Sequence, residues 1–402
     1  MENKNILEVC LSPDLGGLEL YMQNCSRELS KEFNVLCTIS NKSKLKPFLD
    51  DLKVVEIKRK TGFSFFSSRN LARIIDENKI DLIHIHWTKD IPIVIFAKLL
   101  SKRKPKIVQT RHMTMTRFKN DFYHKFLYKN IDMIICVTKA LGNQINKFIP
   151  ENIRPEVKVL YLGAKNVKEF AEYELKAYKE ELNTENSFIV GFVGRINEAK
   201  GQYLLIEALK RLKIKNLDIK VYFVGHAMNE EYLNFLKQKV KSYNLEKEVN
   251  FLGFVNEPSK FMQICDVIVA ASKNETFGLV VIEAMKNQTA IIASKSGGFL
   301  EIIDDGLNGL LFENENVEDL CMKIEKLYSD KKLKGTLALE AKRKVDLEFD
   351  SQKQFKKLIE VIKDLEIDLK QNFEIKKDEE YLAFGSFLVV EKILEIVGYE
   401  NS

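Results

Sequence analysis

The chain has 402 residues, more than one hydrophobic core usually serves, so two domains are expected. With 45% apolar and 30% charged residues it has the material for a soluble globular protein, and no apolar run reaches the roughly 18 residues that span a bilayer. The net charge of +5 conceals an asymmetry: residues 1–165 hold 29 Lys and Arg against 17 Asp and Glu, a local +12, which leaves the remainder at −7.

The opening MENKNILEVCLSPD lacks the basic start and small-residue cleavage site of a signal peptide and reads as a first strand, so a cytoplasmic location is expected. NILEVCL (5–11) is that strand, SPDLGG (12–17) a turn and LELYMQNCSRELSKE (18–32) a helix. NVLCTIS, LKVVEI, IDLIHIH, KIVQT, MIICVT and VKVLYL supply further strands up to residue 162, with helical-period segments between them. The charged stretch 166–187 reads as an interdomain helix and linker. A second strand–turn–helix opening follows in SFIVGFVG (187–194), RINEAKG (195–201) and QYLLIEALKRL (202–212), continued by strands KVYFVG, VNFLG, VIVAAS and AIIAS. The same architectural programme runs twice. The expectation is α/β: two doubly wound, Rossmann-like domains facing across a cleft, at 1–165 and 187–350, joined by 166–186 and followed by C-terminal helices in 351–402 that cross back to the first domain. The tail 377–402 is expected to form a helix with Leu382, Phe387, Leu388 and Ile393 as its apolar face.

Glycines beside helix starts let backbone N–H groups approach an anion. Gly16 and Gly17 stand between the first strand and first helix, and Gly278 stands where VIVAAS has ended and LVVIEAM begins; there is no GxGxxG and no P-loop. If a helix starts near Gly278, Glu275 lies in the loop ahead of it and Glu283 about one and a half turns in, the deeper of the two. Carboxylates only accept hydrogen bonds, so two of them beside a phosphate-binding helix end suit a ligand with hydroxyls, a sugar or a ribose. Six scattered cysteines without a CxxC pair suggest buried thiols, neither a disulfide framework nor a zinc site. His84 and His86 alternate on a strand and face the same way, as a metal pair would, but the sequence offers no third ligand, and structural or acceptor-side roles are favoured. His226 and Asp304–Asp305 read as loop residues, and Trp87 as core or as a surface on which a sugar stacks.

These residues carry a resemblance. E-TFGLVVI-E (275–283), GFVGRINEAKGQYLLIEAL (191–209) and SGGFLEIIDDGLNGLLF (296–312), in that arrangement, resemble the retaining GT-B enzymes of glycosyltransferase family 4. The Gly16–Gly17 loop, DLIHIHW (81–87), QTRH (109–112), VKVLYLG (157–163) and FLGFV (251–255) support it, and the matches span residues 5 to 355. Ala270–Ser272 stands where a proline often precedes the serine, and residues 370–402 have no counterpart.

The resemblance implies a glycosyltransferase whose Arg195 and Lys200 neutralise the donor diphosphate, whose Glu283 holds the ribose hydroxyls and whose Glu275 faces the transferred sugar. It implies phosphate binding by backbone amides of Phe277, Gly278 and Leu279, with Gly16 and Gly17 closing from the other domain, base contacts around Phe254 and Val255, and His112 reaching the sugar. A leaving nucleoside diphosphate develops negative charge, which preorganised cations and dipoles stabilise. No cofactor or metal is then needed for the reaction, and no two aspartates stand two positions apart as a DxD motif would require. UDP is the expected nucleotide, and Glu275 is not expected to act as a nucleophile. The same fold also serves sugar-nucleotide epimerases and phosphorylases, and a non-catalytic sugar-binding protein is a further alternative. The acceptor is expected to be a growing glycan on a lipid, for cell-surface polysaccharide or lipopolysaccharide synthesis, with no nucleic acid involved. KRKTGFSFFSSR (58–69) sets Lys58, Arg59 and Lys60 ahead of Phe63, Phe65 and Phe66, and SKRKPK (101–106) adds a second basic cluster. The first reads either as a loop docking on anionic lipid, making the enzyme peripheral, or as core phenylalanines leading into a helix.

Overall fold

The computed structural model describes residues 4–59 and 64–367. The expected apolar helix of 377–402 lies outside the described residues, as do Lys60 and Phe63. The described residues fall into two compact units: those of 4–137, 141–160 and 355–367 in one, and 138–140 with 161–354 in the other.

The first unit is built on a seven-stranded parallel sheet of β1 (Asn5–Cys10), β2 (Asn34–Ser40), β3 (Val54–Ile57), β4 (Leu82–Ile85), β5 (Lys106–Arg111), β6 (Met133–Cys136) and β7 (Glu156–Val159), in the order β3-β2-β1-β4-β5-β6-β7. Runs of Ile, Val and Leu buried on both faces make the central strands β1, β4 and β6, because helices cover each side of a parallel sheet, while the edge strands β3 and β7 are partly open. The helices are α1 (Gly17–Leu29), α2 (Phe65–Glu77), α3 (Ile91–Leu100), α4 (Phe122–Lys129) and α5 (Lys139–Phe148). Register pairs Glu8 with His84, so both point to the face where Ile6, Cys10, Met22, Cys25 and Leu29 form the core. Strand order reverses between β1 and β4, which puts Gly16–Gly17, His86 and Trp87 at this unit's switch point.

The second unit carries α6 (Glu172–Glu181), α7 (Gln202–Ile214), α8 (Glu230–Ser242), α9 (Pro258–Ile264), α10 (Leu279–Lys286), α11 (Phe299–Ile302), α12 (Val317–Ser329) and α13 (Lys331–Glu348). Its six parallel strands are β8 (Phe188–Val193), β9 (Ile219–Val224), β10 (Val249–Gly253), β11 (Val267–Ala270), β12 (Ala290–Ser294) and β13 (Leu310–Phe312), in the order β10-β9-β8-β11-β12-β13. The reversal here falls between β8 and β11. Residues 166–186, read above as a linker, fall within this unit: Tyr222 Oη donates to Leu182 O at 3.0 Å and Gln263 Nε2 donates to Lys168 O at 2.9 Å. A last helix, α14 (Ser351–Ile367), places Phe355, Leu358 and Ile362 in the core of the first unit.

Candidate active site

The carboxyl ends of β8 and β11 bring together the residues singled out in the second unit. After β8 the chain passes through Gly194 and half-buried Arg195 into a single 3-10 turn, Glu198–Lys200, whose N-cap Asn197 accepts from the Lys200 N–H at 3.1 Å. Gly201 then adopts φ +76, and a Cβ there would stand 2.3 Å from the Ala271 carbonyl oxygen. Only glycine lets the turn press this closely on the end of β11. The result is a 2.6 Å ion pair between Lys200 Nζ and Glu275 Oε2. Glu275 is also held by the Ser272 hydroxyl, which donates to the same oxygen at 3.0 Å.

Glu275 backbone is fixed from β12. Ser296 Oγ accepts from the Glu275 N–H at 3.3 Å, the Gly298 N–H donates to Glu275 O at 2.8 Å, and Gly297, at φ +48, lies so close that a Cβ would fall 1.8 Å from that oxygen. The Ser-Gly-Gly segment therefore shapes the Glu275 loop from outside. Gly278, at φ +108, is the N-cap of α10, and a Cβ there would strike the Phe299 ring at 2.5 Å. The Val281 N–H donates to Gly278 O at 2.9 Å, the Leu279 and Val280 N–H groups before it stand at the positive end of α10, and the Phe277 side chain is buried, which leaves only its backbone to a ligand.

Glu283 corrects one expectation. It is the more open of the two glutamates, solvent-exposed on α10, whereas the Glu275 side chain is only 17% exposed because Lys200 and Ser272 enclose it. Desolvation nonetheless pushes the Glu283 carboxyl up to about 7 against the pull of Lys165. Phe254, at the end of β10, is 74% exposed beside half-buried Val255. His226 is exposed in the loop after β9, and Asp304 and Asp305 are spent locally, on Asn308 and Lys344 and on the Leu311 N–H. Ser272, Ser296 and Lys165 were not singled out by sequence reasoning. The first two sit inside or beside the segments that carry the resemblance, but Lys165 has no sequence signal.

In the first unit, Gly16 and Gly17 open α1, with Gly16 in extended backbone that any residue adopts. His112 follows β5 directly, its ring 5.1 Å from Tyr21 and 6.1 Å from His86, and burial, then the neighbouring histidines, push it well below the usual histidine value, so it is neutral at pH 7. Its Nε2 is buried without a hydrogen-bond partner among the described residues. The basic loop is partly committed. Arg59 is stacked 4.1 Å over Trp87 and faces buried Asp90 at 3.7 Å, its side chain only 12% exposed, so it is not a free docking cation and Trp87 is its platform. Arg103 and Lys106 of the second cluster pair with Asp81 and Asp132. Phe65 and Phe66, in contrast, are not core: they are 37% and 79% exposed in the first turn of α2.

Two parallel-sheet units, each with its candidate residues at the strand carboxyl ends, define a GT-B transferase architecture. The family model described as glycosyl transferases group 1 matches residues 174–344, and that described as glycosyl transferase 4-like matches residues 8–138. An uncharacterized glycosyltransferase of Methanocaldococcus jannaschii is 29% identical over 339 residues, covering 81% of this chain and 88% of the relative. The capsular polysaccharide biosynthesis glycosyltransferase CapM of Staphylococcus aureus is 25% identical over 340 residues, covering 80% and 87%. Among solved structures, Anabaena HepE in complex with UDP and glucose superposes with a TM-score of 0.80 at 22% identity over 90% of this chain and 100% of that one. A Rickettsia africae glycosyltransferase gives 0.82 at 22% identity over 92% and 100%. The chain belongs to the family-4-like GT-B glycosyltransferases and is an enzyme of that class.

Proposed function

We propose that the chain moves a sugar, with retention at the anomeric carbon, from a UDP-linked donor to a glycan or lipid-linked glycan in the making of a cell-surface polysaccharide or lipopolysaccharide. The observation that carries this reading is the grouping of Arg195, Lys200, Glu275 and the α10 N-terminus at the β8–β11 switch point. Cations and helix N–H groups converge where a diphosphate would leave, and the transfer itself draws on no metal. Arg195 and Lys200 take the diphosphate, Glu283 the ribose hydroxyls, Glu275 the sugar, and His112 meets the sugar as a neutral imidazole. Glu275 Oε2 already accepts from Lys200 and Ser272, which supports a same-face route in which the departing phosphate takes the acceptor proton.

UDP is favoured because solved HepE complexes hold UDP-glucose or UDP with glucose. A glycan or lipid-linked acceptor is supported by CapM and by a Campylobacter jejuni relative named as acting on a diphospho-undecaprenol glycan, 29% identical over 225 residues, 56% of this chain. Exposed Phe65 and Phe66 beside exposed Lys58 and Arg69 support a peripheral seat on an anionic membrane, each cation adding about 1 kcal/mol near the surface. The test is a thermal-shift panel of UDP, GDP, ADP and CMP followed by incubation with the matching nucleotide sugar. A nucleotide at a hundred times its Kd stabilises by about 2.7 kcal/mol. A UDP-selective shift and slow release of UDP are expected. No shift with any nucleotide overturns the donor site, and an epimerised sugar without nucleotide release assigns an epimerase.

A further inference from the structure

We propose that Glu8, Cys25, His84 and His86 form a structural binding site for one zinc-class divalent ion inside the first unit, separate from the transfer chemistry. The sequence offered two histidines and no third ligand. The fold supplies two more, Glu8 from β1 and Cys25 from α1, and one donor atom from each of the four lies within 4.8 Å of the others. Each side chain is fully buried, with His86 at 1% and the rest at 0% exposure.

The contacts are close to those of a four-ligand metal centre. Glu8 Oε1 is 2.9 Å from His84 Nδ1, Glu8 Oε2 is 2.5 Å from His86 Nε2, and Cys25 Sγ is 3.9 Å from His84 Nδ1. Tetrahedral zinc with bonds of about 2.0–2.3 Å sets its ligand atoms roughly 3.3–3.7 Å apart, so the two close pairs open by less than about 1 Å and the thiol is already at range. His84 Nε2 meets Thr110 Oγ1 at 2.7 Å, the outer hydrogen bond that fixes a metal-binding imidazole with its proton on the far nitrogen. A purely hydrogen-bonded Glu8–His84–His86 cluster has no use for Cys25, since a thiol is a weak donor.

Charge argues the same way. A carboxylate buried among Ile6, Met22, Leu29 and Val108 is costly unless a positive charge meets it. A divalent ion with one carboxylate, one thiolate and two neutral imidazoles is net neutral: its binding expels the thiol proton, while each imidazole keeps one proton on the nitrogen that faces away from the ion. The mixed N, S and O set suits zinc over magnesium or calcium. Such an ion would tie α1, which opens at Gly16–Gly17, to β1 and β4 and so fix that loop.

The experiment uses the untagged full chain grown in zinc-replete and, separately, cobalt-replete medium. Expected are about one zinc per chain by elemental analysis, a thiolate-to-cobalt charge-transfer band, and loss of both in Cys25→Ser with a Tm lower by roughly 5 °C or more. Wild type with under about a tenth of an equivalent of any transition metal and no cobalt band overturns the proposal, and this arm needs no variant to fold. Metal and band unchanged in Cys25→Ser overturn it too, by placing the ion elsewhere.

Discussion

Glu283 offers a titration that reports on the donor site. Its carboxyl is pushed up to about 7 by burial, so about half is ionised at pH 7, about nine-tenths at pH 8 and about one-tenth at pH 6. A carboxylate accepts from both ribose hydroxyls, while the protonated acid loses part of that capacity. If only the ionised form binds well, donor Kd should rise about tenfold from pH 8 to pH 6, roughly 1.4 kcal/mol, with about half a proton released per donor bound at pH 7. The ligand for this measurement is the nucleotide sugar, since its diphosphate diester does not titrate in the range. Calorimetry at pH 6, 7 and 8, in two buffers of different ionisation enthalpy, gives affinity and proton release together. Glu283→Gln should bind about 10- to 100-fold more weakly at pH 8, the worth of a charged hydrogen bond, and should lose the pH dependence. A flat wild-type Kd, or the same slope in Glu283→Gln, refutes the ribose role. Glu283 as a whole residue is exposed, so its effect on folding stability is discounted for screening and binding is the informative readout.

Lys200→Ala should cost about 10²–10³ in turnover. The partly exposed pair with Glu275 is worth at most about 1 kcal/mol of stability, so the melting curve should barely move, and full activity at both low and saturating donor would remove Lys200 from the diphosphate. Gly297→Ala forces a left-handed residue into the Glu275 carbonyl oxygen and should lower both Tm and turnover, whereas Gly335→Ala, within α13 and meeting nothing within 4 Å, should stabilise by about 0.5–1 kcal/mol; equal Tm values for the two would refute the packing argument. Asp90 is pushed up from 3.8 to about 7 by burial, against the Leu11 N–H and Arg59, so the native state keeps a proton that the unfolded chain has lost. Its contribution is complete below about pH 4 and is lost as pH rises to about 7, and Asp90→Asn should remove about 2–3 kcal/mol of the fall in urea-unfolding free energy between pH 5 and pH 8. An unchanged fall in the variant would assign it to other groups.

The fold was legible because parallel strands buried on both faces leave unbroken apolar runs, and because β1 and β8 are each followed by a turn and a helix. Short β13 escaped, three residues being too few to show a period. In the site, spacing alone placed Glu275 ahead of α10 and Glu283 within it, and it put Gly278 at the N-cap. It did not give their relative depth, which depends on Lys200 and Ser272 arriving from distant segments. Lys165 and the Glu8–His84 register are invisible for the same reason, since each joins segments more than 70 residues apart. Arg59 read as a free cation because nothing local announces a partner 31 residues on in Asp90.

The Lys200–Glu275 pair carries a consequence that separates binding from chemistry. Without donor, each charge is neutralised by the other at 2.6 Å. An arriving diphosphate must share Lys200 with Glu275 and meets the carboxylate as a like charge. Glu275→Gln removes that competition, because a neutral amide holds the ammonium less tightly, while Ser272 and the Ser296–Gly298 backbone contacts keep the loop in shape. UDP alone should therefore bind Glu275→Gln as tightly as wild type or a few-fold tighter, on the order of 1 kcal/mol for losing one screened repulsion. Turnover should nonetheless fall about 10²–10³-fold if Glu275 meets the transferred sugar as proposed, since its charge is gone. Isothermal titration with UDP beside a UDP-release assay reads the two effects separately. A UDP affinity that falls in parallel with turnover would mean that Glu275 holds the nucleotide or the loop, and its assignment to the sugar would be lost.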